Sequence, residues 1–148
     1  MTRLIDAVSV VNKNCIVILS SGEVCEMPWR HQVSAVLLTW FSGEGMGSAI
    51  ADILFGKVSP SGRLANTVPE RLQDTPAYLS FDGNVYEIPY AEDIYVGYRY
   101  YEKKGIQPAY PFGYGLSYTS FEYEHLAVSE ENDHIIVTVD VTNTGAVA

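Results

Sequence analysis

The chain is organised around one tyrosine-rich segment, Tyr90-Ala-Glu-Asp-Ile-Tyr-Val-Gly-Tyr-Arg-Tyr-Tyr-Glu-Lys-Lys-Gly-Ile-Gln-Pro-Ala-Tyr-Pro-Phe-Gly-Tyr-Gly-Leu-Ser-Tyr-Thr-Ser-Phe121. Most of the 11 tyrosines of the chain lie in this segment, among glycines and prolines. Glycine and proline favour turns, and tyrosine rings favour packed surfaces. The composition therefore predicts a rigid aromatic belt, rather than a helix or a disordered linker, and by itself suggests a platform for a sugar.

The overall composition indicates a folded chain and excludes several kinds of partner. With 148 residues, of which 47% are hydrophobic, the chain can bury a core. Its formal charge of −9 provides no basic surface for phosphate backbones, which argues against nucleic acid. No apolar run approaches the ~20 residues that cross a bilayer, and the N-terminus lacks a secretion signal. We expect a soluble chain without membrane partners, and a cytoplasmic location is favoured.

The two cysteines, Cys15 and Cys25, have neither the spacing of metal ligands nor a histidine cluster beside them. We therefore expect two reduced thiols that serve in packing. The sequence predicts no metal site and no cofactor.

The first forty residues have the pattern of alternating helix and strand. Residues 2–12 place apolar side chains at helical spacing and predict a short amphipathic helix. Asn14–Ser20 is a compact apolar run bounded by turn formers, and Val33–Trp40 is a second one. Both are typical of strands covered on both faces in a parallel sheet. Pro28 predicts a loop and a short turn between them.

A glycine loop and a helix follow the second predicted strand. Gly43, Gly45 and Gly47 precede an apolar helical pattern that extends to Gly56, which suits the helix end. This is half of a βαβ unit, and the glycines suggest a tight turn with close packing of helix on sheet. A phosphate-binding loop is the alternative, but the spacing fits neither the dinucleotide fingerprint nor a Walker loop, and Glu44 opposes an anion.

The chain then becomes irregular before a final hairpin. Arg63–Val68 is a short extended piece that suits an edge strand, and Glu70–Pro89 is a long loop punctuated by Asp82-Gly83-Asn84. After the aromatic belt, residues 121–128 and 134–142 alternate apolar and polar side chains around a polar turn at Ser129–Asp133. They predict an antiparallel hairpin, which is marginally stable without a further sheet.

Six segments of the chain together resemble the family 3 glycoside hydrolases, the group of β-glucosidases and β-xylosidases. They occur in the same order as in the family and cover almost the whole chain. The last two segments are long and unusual in composition. The segments are Val24-Cys-Glu-Met-Pro-Trp29, Ala35-Val-Leu-Leu-Thr-Trp40 with Gly43, Gly47-Ser-Ala-Ile-Ala-Asp-Ile-Leu-Phe-Gly56, Ser59-Pro-Ser-Gly-Arg-Leu64 with Thr67-Val-Pro69, Ile94-Tyr-Val-Gly-Tyr-Arg-Tyr-Tyr101, and Pro111-Phe-Gly-Tyr-Gly-Leu-Ser-Tyr-Thr-Ser-Phe121.

The resemblance implies a fold. Family members resemble a TIM barrel followed by an α/β sandwich domain, and many add a fibronectin type III-like β-sandwich. By this resemblance, residues 1–118 are the C-terminal α/β sandwich domain, incomplete at its start, with a mostly parallel sheet between helices in three layers. Residues 119–148 are the first strands of a truncated fibronectin type III-like domain, and the aromatic belt closes one domain and leads into the next.

The resemblance also implies where the chemistry lies. In the family the nucleophile is an aspartate of the barrel, and the general acid/base is a glutamate in a segment that should precede the helix at residues 2–12. A retaining glycosidase needs these two carboxyl groups ~5–5.5 Å apart. We therefore expect no catalytic residue in this chain, and we leave its substrate-binding residues unassigned.

Several other residues have alternative roles that the sequence leaves open. Glu92 and Asp93 either line a sugar site or are solvated carboxylates ahead of a strand. Trp29 and Trp40 either stack on a sugar or belong to the core, the latter being more common. Arg99, between two tyrosines, suggests a buried ion pair or a stacking contact. The three histidines have no catalytic or metal-binding spacing, and we expect them at the surface or in packing contacts: His31, His125 and His134.

The leading functional prediction is a fragment of a retaining β-glycosidase that hydrolyses terminal β-linked sugars, the fragment itself being inactive. The substrate of the full-length parent is then a β-linked oligosaccharide or glycoside. The alternative is a non-catalytic sugar-binding or interaction module that assembles with a partner chain. A nucleotide-binding domain is a third interpretation, which rests only on the glycine loop. In addition, exposed strand edges predict self-association.

Overall fold

The computed structural model describes residues 2–81 and 86–147, so the predicted turn at Asp82-Gly83-Asn84 lies outside the described residues. The described residues mix helices and strands, which confirms the α/β class. They divide into two compact units, Met1–Glu44 with Arg63–Tyr114, and Gly45–Gly62 with Gly115–Ala148. The elements in order are α1 Thr2–Val11, β1 Ile16–Leu19, β2 Ala35–Leu38, α2 Met46–Leu54, a 3-10 helix Leu72–Asp74, α3 Tyr98–Lys104, β3 Phe121–Glu131 and β4 His134–Asn143.

The first unit is built on a short parallel sheet. Strands β1 and β2 pair in parallel, with Ile16 opposite Ala35 and Leu19 opposite Leu38. Their side chains alternate, so Leu19 is 5% exposed whereas Ile16 is 49% exposed. The expectation that both faces of these strands are covered is therefore wrong for the described residues, in which one face of β1 stays open.

The core of the first unit gathers around two side chains, Trp29 and Val68, each only 1% exposed. Ile5 from α1, Leu19 from β1 and Met27 from the loop before Trp29 complete this buried cluster. Residues 24–32 form a loop and turn, as Pro28 predicted. The sequence-distant Val68 is held at the core by backbone hydrogen bonds with Tyr110.

The predicted N-terminal helix is confirmed, but its buried face is narrower than its apolar spacing suggested. Leu4 and Val11 are largely exposed, whereas Ile5 and Ser9 are buried one helical turn apart. The hydroxyl of Ser9 donates to the carbonyl oxygen of Asp6 at 3.2 Å, which satisfies this buried polar group.

The aromatic belt contains a helix, so the expectation of a non-helical belt is wrong. Helix α3 begins after Gly97, at φ 55° and ψ −137°, and ends at Gly105, in the left-handed conformation at φ 65°. Tyr101 is its buried residue. Two glycines in conformations that other residues rarely adopt thus start and stop a seven-residue helix inside a segment rich in turn formers.

The extended piece Arg63–Val68 does not form a strand. Val68 makes an isolated antiparallel bridge with Tyr110, and the Leu64 amide donates to the Tyr114 carbonyl oxygen at 2.8 Å. The segment Arg63–Val68 therefore makes these backbone hydrogen bonds with the C-terminal part of the aromatic belt, at Tyr110 and Tyr114.

The second unit contains helix α2 and the predicted hairpin. Gly56 adopts φ 71° just after α2, which fits its expected place at the helix end. In the hairpin the strands are longer and the turn is shorter than Ser129–Asp133, because β3 continues to Glu131. The turn consists of Asn132 and Asp133, both at positive φ, which matches the right-handed twist of paired strands. All described hairpin residues are exposed.

Candidate functional site

The two tryptophans occupy different places in the first unit. Trp29, 1% exposed, is core, so it has no free face for a sugar. Trp40 follows β2, is half-buried and has φ 53°. The Ser20 hydroxyl donates to its carbonyl oxygen at 2.8 Å and helps to hold this strained backbone. The core prediction is confirmed for Trp29 and only partly met at Trp40.

The predicted acidic pair lies in a turn rather than ahead of a strand. Glu92 is half-buried, Asp93 is exposed with φ 53°, and the Tyr95 amide donates to the Glu92 carbonyl oxygen at 2.9 Å. The element that follows is α3, so the expected strand is absent from residues 86–104. Exposed Asp93 fits the second alternative, a solvated carboxylate.

The remaining candidates are at the surface. His31, His125 and His134 are exposed, and the Nδ1 atom of His125 lies 2.9 Å from a carboxylate oxygen of Asp140. In the described ranges, no group of three or more His, Cys, Asp or Glu side chains is arranged to hold a metal ion. Arg99 is also exposed and lies over the Tyr98 ring at 5.7 Å, so the stacking alternative is correct and the buried ion pair is wrong.

Both cysteines are free and half-buried, as expected, and burial raises the pKa of the Cys25 thiol. The three glycines of the loop before and at the start of α2 are not in tight packing. A Cβ atom added at Gly43, Gly45 or Gly47 would meet no described heavy atom within 4 Å. Each of these glycines therefore has open surroundings, and the packing of helix on sheet stays a prediction.

The structure assembles a cavity that the sequence did not predict. It has a volume of about 350 Å³ and lies within the first unit, beside the C-terminal end of α3. Tyr101 is its buried lining residue, and Thr67, Ile106 and Pro108 are half-buried. Tyr98, Glu102 and Gln107 are exposed and form a polar and aromatic rim, and the lining is completed by Gly105 and Pro111.

Two groups of this cavity have unusual surroundings. The hydroxyl oxygen of Thr67 is buried and has no hydrogen-bond partner among the described residues. Burial raises the pKa of Tyr101, and the negative charge of Asp74 raises it further. The Tyr101 hydroxyl therefore stays neutral at physiological pH.

Charged side chains hold the backbone next to this cavity. Arg30, whose side chain is 14% exposed, donates two hydrogen bonds to the carboxylate of Glu70, at 3.0 and 2.6 Å. Arg71 pairs in the same two-pronged way with Asp74 and holds the pKa of that carboxyl below its usual range. Glu26 accepts from the Leu72 amide. The contacts of Arg30 and Glu26 fasten residues 70–72 to the loop that carries Trp29, and the Arg71–Asp74 pair closes the turn at residues 71–74.

Comparisons with known proteins agree over nearly the whole chain. The family model described as the glycosyl hydrolase family 3 C-terminal domain matches residues 1–118. Thermostable beta-glucosidase B of Acetivibrio thermocellus is 47% identical over 99% of this chain. Beta-glucosidase 3B of Thermotoga neapolitana, solved with α-D-glucose, is 44% identical over 97% of the chain, with a TM-score of 0.87. The Kluyveromyces marxianus beta-glucosidase is 45% identical over 97%, with a TM-score of 0.91.

The match covers only part of each relative. The chain spans 20% of the Acetivibrio protein, 21% of the Thermotoga chain and 17% of the Kluyveromyces chain.

In the described residues, no helix is long and apolar enough to cross a bilayer.

Proposed function

The chain belongs to glycoside hydrolase family 3, and we propose that it is part of a retaining β-glucosidase that hydrolyses terminal β-linked glucosides. The observation that carries this proposal is the 44–47% identity to beta-glucosidases over 97–99% of the chain, together with TM-scores of 0.87–0.91. The substrate is then a β-linked oligosaccharide or glycoside of the whole enzyme.

The proposal assigns this chain a supporting role, with the nucleophile and the general acid/base outside it. The described residues favour such a role, because they form a buried core and a loop that is held by an ion pair. Trp29 and Val68 lie at the centre of the buried core. The ion pair between Arg30 and Glu70 holds the neighbouring segment in place. A supporting domain acts by holding catalytic loops in place, which is how a rigid scaffold contributes to catalysis.

For the architecture, we propose that residues 1–118 belong to a three-layer α/β/α sandwich with a mostly parallel sheet, and that 119–148 begin a fibronectin type III-like β-sandwich. The parallel pairing of β1 and β2 supports the first assignment. The second is supported by the long antiparallel hairpin β3–β4, whose apolar side chains are exposed and suit the inner face of a sandwich.

The first experiment is an activity assay on the purified 148-residue chain. Circular dichroism first verifies that the chain is folded, and p-nitrophenyl β-D-glucoside is then the substrate, beside a full-length family member. We expect no release of nitrophenol above buffer, because neither carboxyl group of the catalytic pair is in the chain. Turnover comparable to that of the full-length enzyme would contradict this assignment, and Glu92→Gln would then identify whether Glu92 takes part.

A second candidate function is a non-catalytic sugar-binding or interaction module that assembles with a partner chain. The cavity beside α3 favours it, because aromatic, carboxylate and hydroxyl groups meet there. A titration of the isolated 148-residue chain with D-glucose distinguishes the two functions. A sugar-binding module binds the sugar without the rest of a family 3 enzyme, whereas a part of the enzyme acquires its function only in the complete enzyme.

We also propose that the 148-residue chain self-associates. The hairpin has two open edges, and one of its faces carries apolar residues that are between 42% and 75% exposed, including Tyr123, Val137, Val139 and Val141. Open edges and apolar faces of this kind drive association in water. Light scattering over a concentration series should give a mass above that of the 16.4 kDa monomer.

The matched variants for self-association lie side by side on β4. Val139→Lys places a charge on the apolar face, and should shift the chain toward monomer. Thr138→Lys places the same charge on the opposite face and should change the mass little, because that face already carries Glu122, Glu124 and Asp140. An unmodified chain that stays monomeric at high concentration would contradict the proposal of self-association.

A further inference from the structure

The hairpin of β3 and β4 has no core of its own. Every described residue of its two strands is exposed, and a two-stranded hairpin is at best marginally stable in water. Its attachment to the rest of the second unit therefore depends on the end where the chain enters and leaves the two strands. At that end, the chain contacts residues of the same unit that lie 58 and 65 positions earlier in the sequence.

Three hydrogen bonds join the residues before β3 to the end of α2 and the segment after it. The Tyr118 hydroxyl donates to the carbonyl oxygen of Ile53, in the last turn of α2, at 2.9 Å. The Tyr118 amide donates to the Ser59 hydroxyl oxygen at 3.1 Å, and the hydroxyl oxygens of Ser59 and Ser117 lie 3.0 Å apart. Both serines are half-buried, which limits competition from water and strengthens their hydrogen bonds. We call Ser59, Ser117 and Tyr118 the hydroxyl latch.

The two ends of the hairpin are closed on each other directly after the latch. The Thr144 amide donates to the Ser120 carbonyl oxygen at 2.9 Å, and the Thr119 hydroxyl donates to the side-chain oxygen of Asn143. Gly145 leaves no room there, because an added Cβ would clash with the Thr119 hydroxyl and lie 2.8 Å from the Ser120 nitrogen. The start of β3 and the end of β4 are thus fixed to each other, so the latch holds both strands.

We propose that the hydroxyl latch makes α2 and the hairpin one conformational unit, which opens at the latch while the core around Trp29 stays folded. The buried hydrophobic cluster belongs to the first unit and the latch lies entirely in the second, which favours separate opening. When the latch opens, the hairpin loses its attachment to α2 and its strands separate from that end. The competing explanation is a hairpin that is stable without the latch.

Two signals of the 148-residue chain report on the two units separately. Both tryptophans, Trp29 and Trp40, belong to the first unit, so tryptophan fluorescence during a urea titration follows that unit. Amide hydrogen exchange of peptides from residues 121–143, measured by mass spectrometry, follows the hairpin. The exchange is measured at a concentration at which light scattering gives the mass of the monomer, because self-association would also protect the strands.

Removing one hydrogen bond of the latch should speed exchange in the hairpin and leave the fluorescence midpoint unchanged. Tyr118→Phe removes the hydroxyl and keeps the ring, and Ser59→Ala removes the oxygen that accepts from the Tyr118 amide. Each variant should speed hairpin exchange about fivefold, the factor expected from one net hydrogen bond. Tyr123→Phe makes the same change within β3 and outside the latch, and this control should leave exchange unchanged.

Gly145→Ala tests the closure of the hairpin end and leaves the three latch residues in place. The added Cβ displaces Thr119, so hairpin exchange should speed about tenfold or more. The fluorescence midpoint should again stay unchanged, because the substitution lies in the second unit.

Three results would overturn the proposal. Hairpin amides that exchange without protection in the unmodified chain would mean that nothing holds the hairpin. Equal exchange in Tyr118→Phe and Tyr123→Phe would mean that the hairpin is stable without the latch. A fluorescence midpoint that falls together with the protection of the hairpin would mean that the whole chain opens as one unit. The proposal rests on these contacts alone, so each of these results would leave the assignment to a β-glucosidase unaffected.

Discussion

Replacing Trp29 with alanine is expected to lower the free energy of unfolding of the first unit by about 4 kcal/mol. The indole is 1% exposed and lies with Ile5, Leu19, Met27 and Val68 in the one buried hydrophobic cluster of the described residues. Alanine leaves a cavity that the short elements around it cannot fill. Since small domains are stable by only ~5–15 kcal/mol, the variant should be largely unfolded at moderate denaturant.

The measurement is a urea titration followed by far-UV circular dichroism, because the fluorescence of Trp29 is lost in the variant. Two control variants separate the effect of the lost side-chain volume from the effects of the lost polar group and of the position in the chain. Trp29→Phe keeps most of the ring, and the indole nitrogen of Trp29 has no described hydrogen-bond partner to lose, so a cost of about 1 kcal/mol is expected. Phe41→Ala removes a ring that is 83% exposed, and should change stability within ~0.5 kcal/mol.

A loss below ~1 kcal/mol in Trp29→Ala would mean that the indole does not centre the core. The same loss in all three variants would mean that aromatic content, and not the position of Trp29, determines stability. Either result would also remove the structural argument for a supporting role of this chain.

The elements that the sequence predicted correctly are those set by local pattern. Helices α1 and α2 and the hairpin each have a period in their own residues, β1 and β2 are apolar runs, and the structure has all of these elements. The family was likewise predictable, because the motif from Pro111 to Phe121 is long and unusual in composition. Local periodicity and a distinctive motif require no knowledge of the neighbours in space.

Helix α3 was missed because it is only seven residues long and begins with tyrosines, although Arg99, Glu102, Lys103 and Lys104 favour a helix. Tyrosine has only an average helix propensity, and glycines stand on both sides. The helix exists because Gly97 and Gly105 adopt conformations that start and end it, and because Tyr101 packs into the interior. Those conformations depend on the tertiary structure, and a glycine is equally compatible with a turn.

Burial was the other property that periodicity could not supply. Ile16 and Val11 are apolar and lie in correctly predicted elements, yet they are 49% and 83% exposed. A pattern gives the side chains that share a face, but the neighbouring element decides whether that face is covered. The cavity beside α3 has the same origin, because Thr67 and residues of α3 line it together although they lie far apart in the sequence.

Replacing Gly97 with alanine is expected to cost about 2 kcal/mol of stability. Its backbone, at φ 55° and ψ −137°, lies near a region that is almost exclusive to glycine. An added Cβ would meet no described heavy atom within 4 Å, so the cost comes from the backbone alone. The start of α3 should loosen, which hydrogen exchange of the amides of Tyr100 and Tyr101 will detect together with the urea midpoint.

A graded series of alanine variants tests this explanation, because three glycines of the first unit differ in φ and share an open surrounding. Gly105→Ala, at φ 65° and ψ 28°, should cost about 1 kcal/mol, since this left-handed region is less restricted than that of Gly97. Gly43→Ala, at an ordinary φ, should stay within ~0.5 kcal/mol. Equal effects at all three positions would contradict a conformational origin, because these sites share open surroundings and differ in their dihedral angles. The explanation is supported if Gly97→Ala lowers the free energy of unfolding more than Gly105→Ala and speeds amide hydrogen exchange at the start of α3. The backbone conformation of Gly97 would then determine where α3 begins within the tyrosine-rich segment.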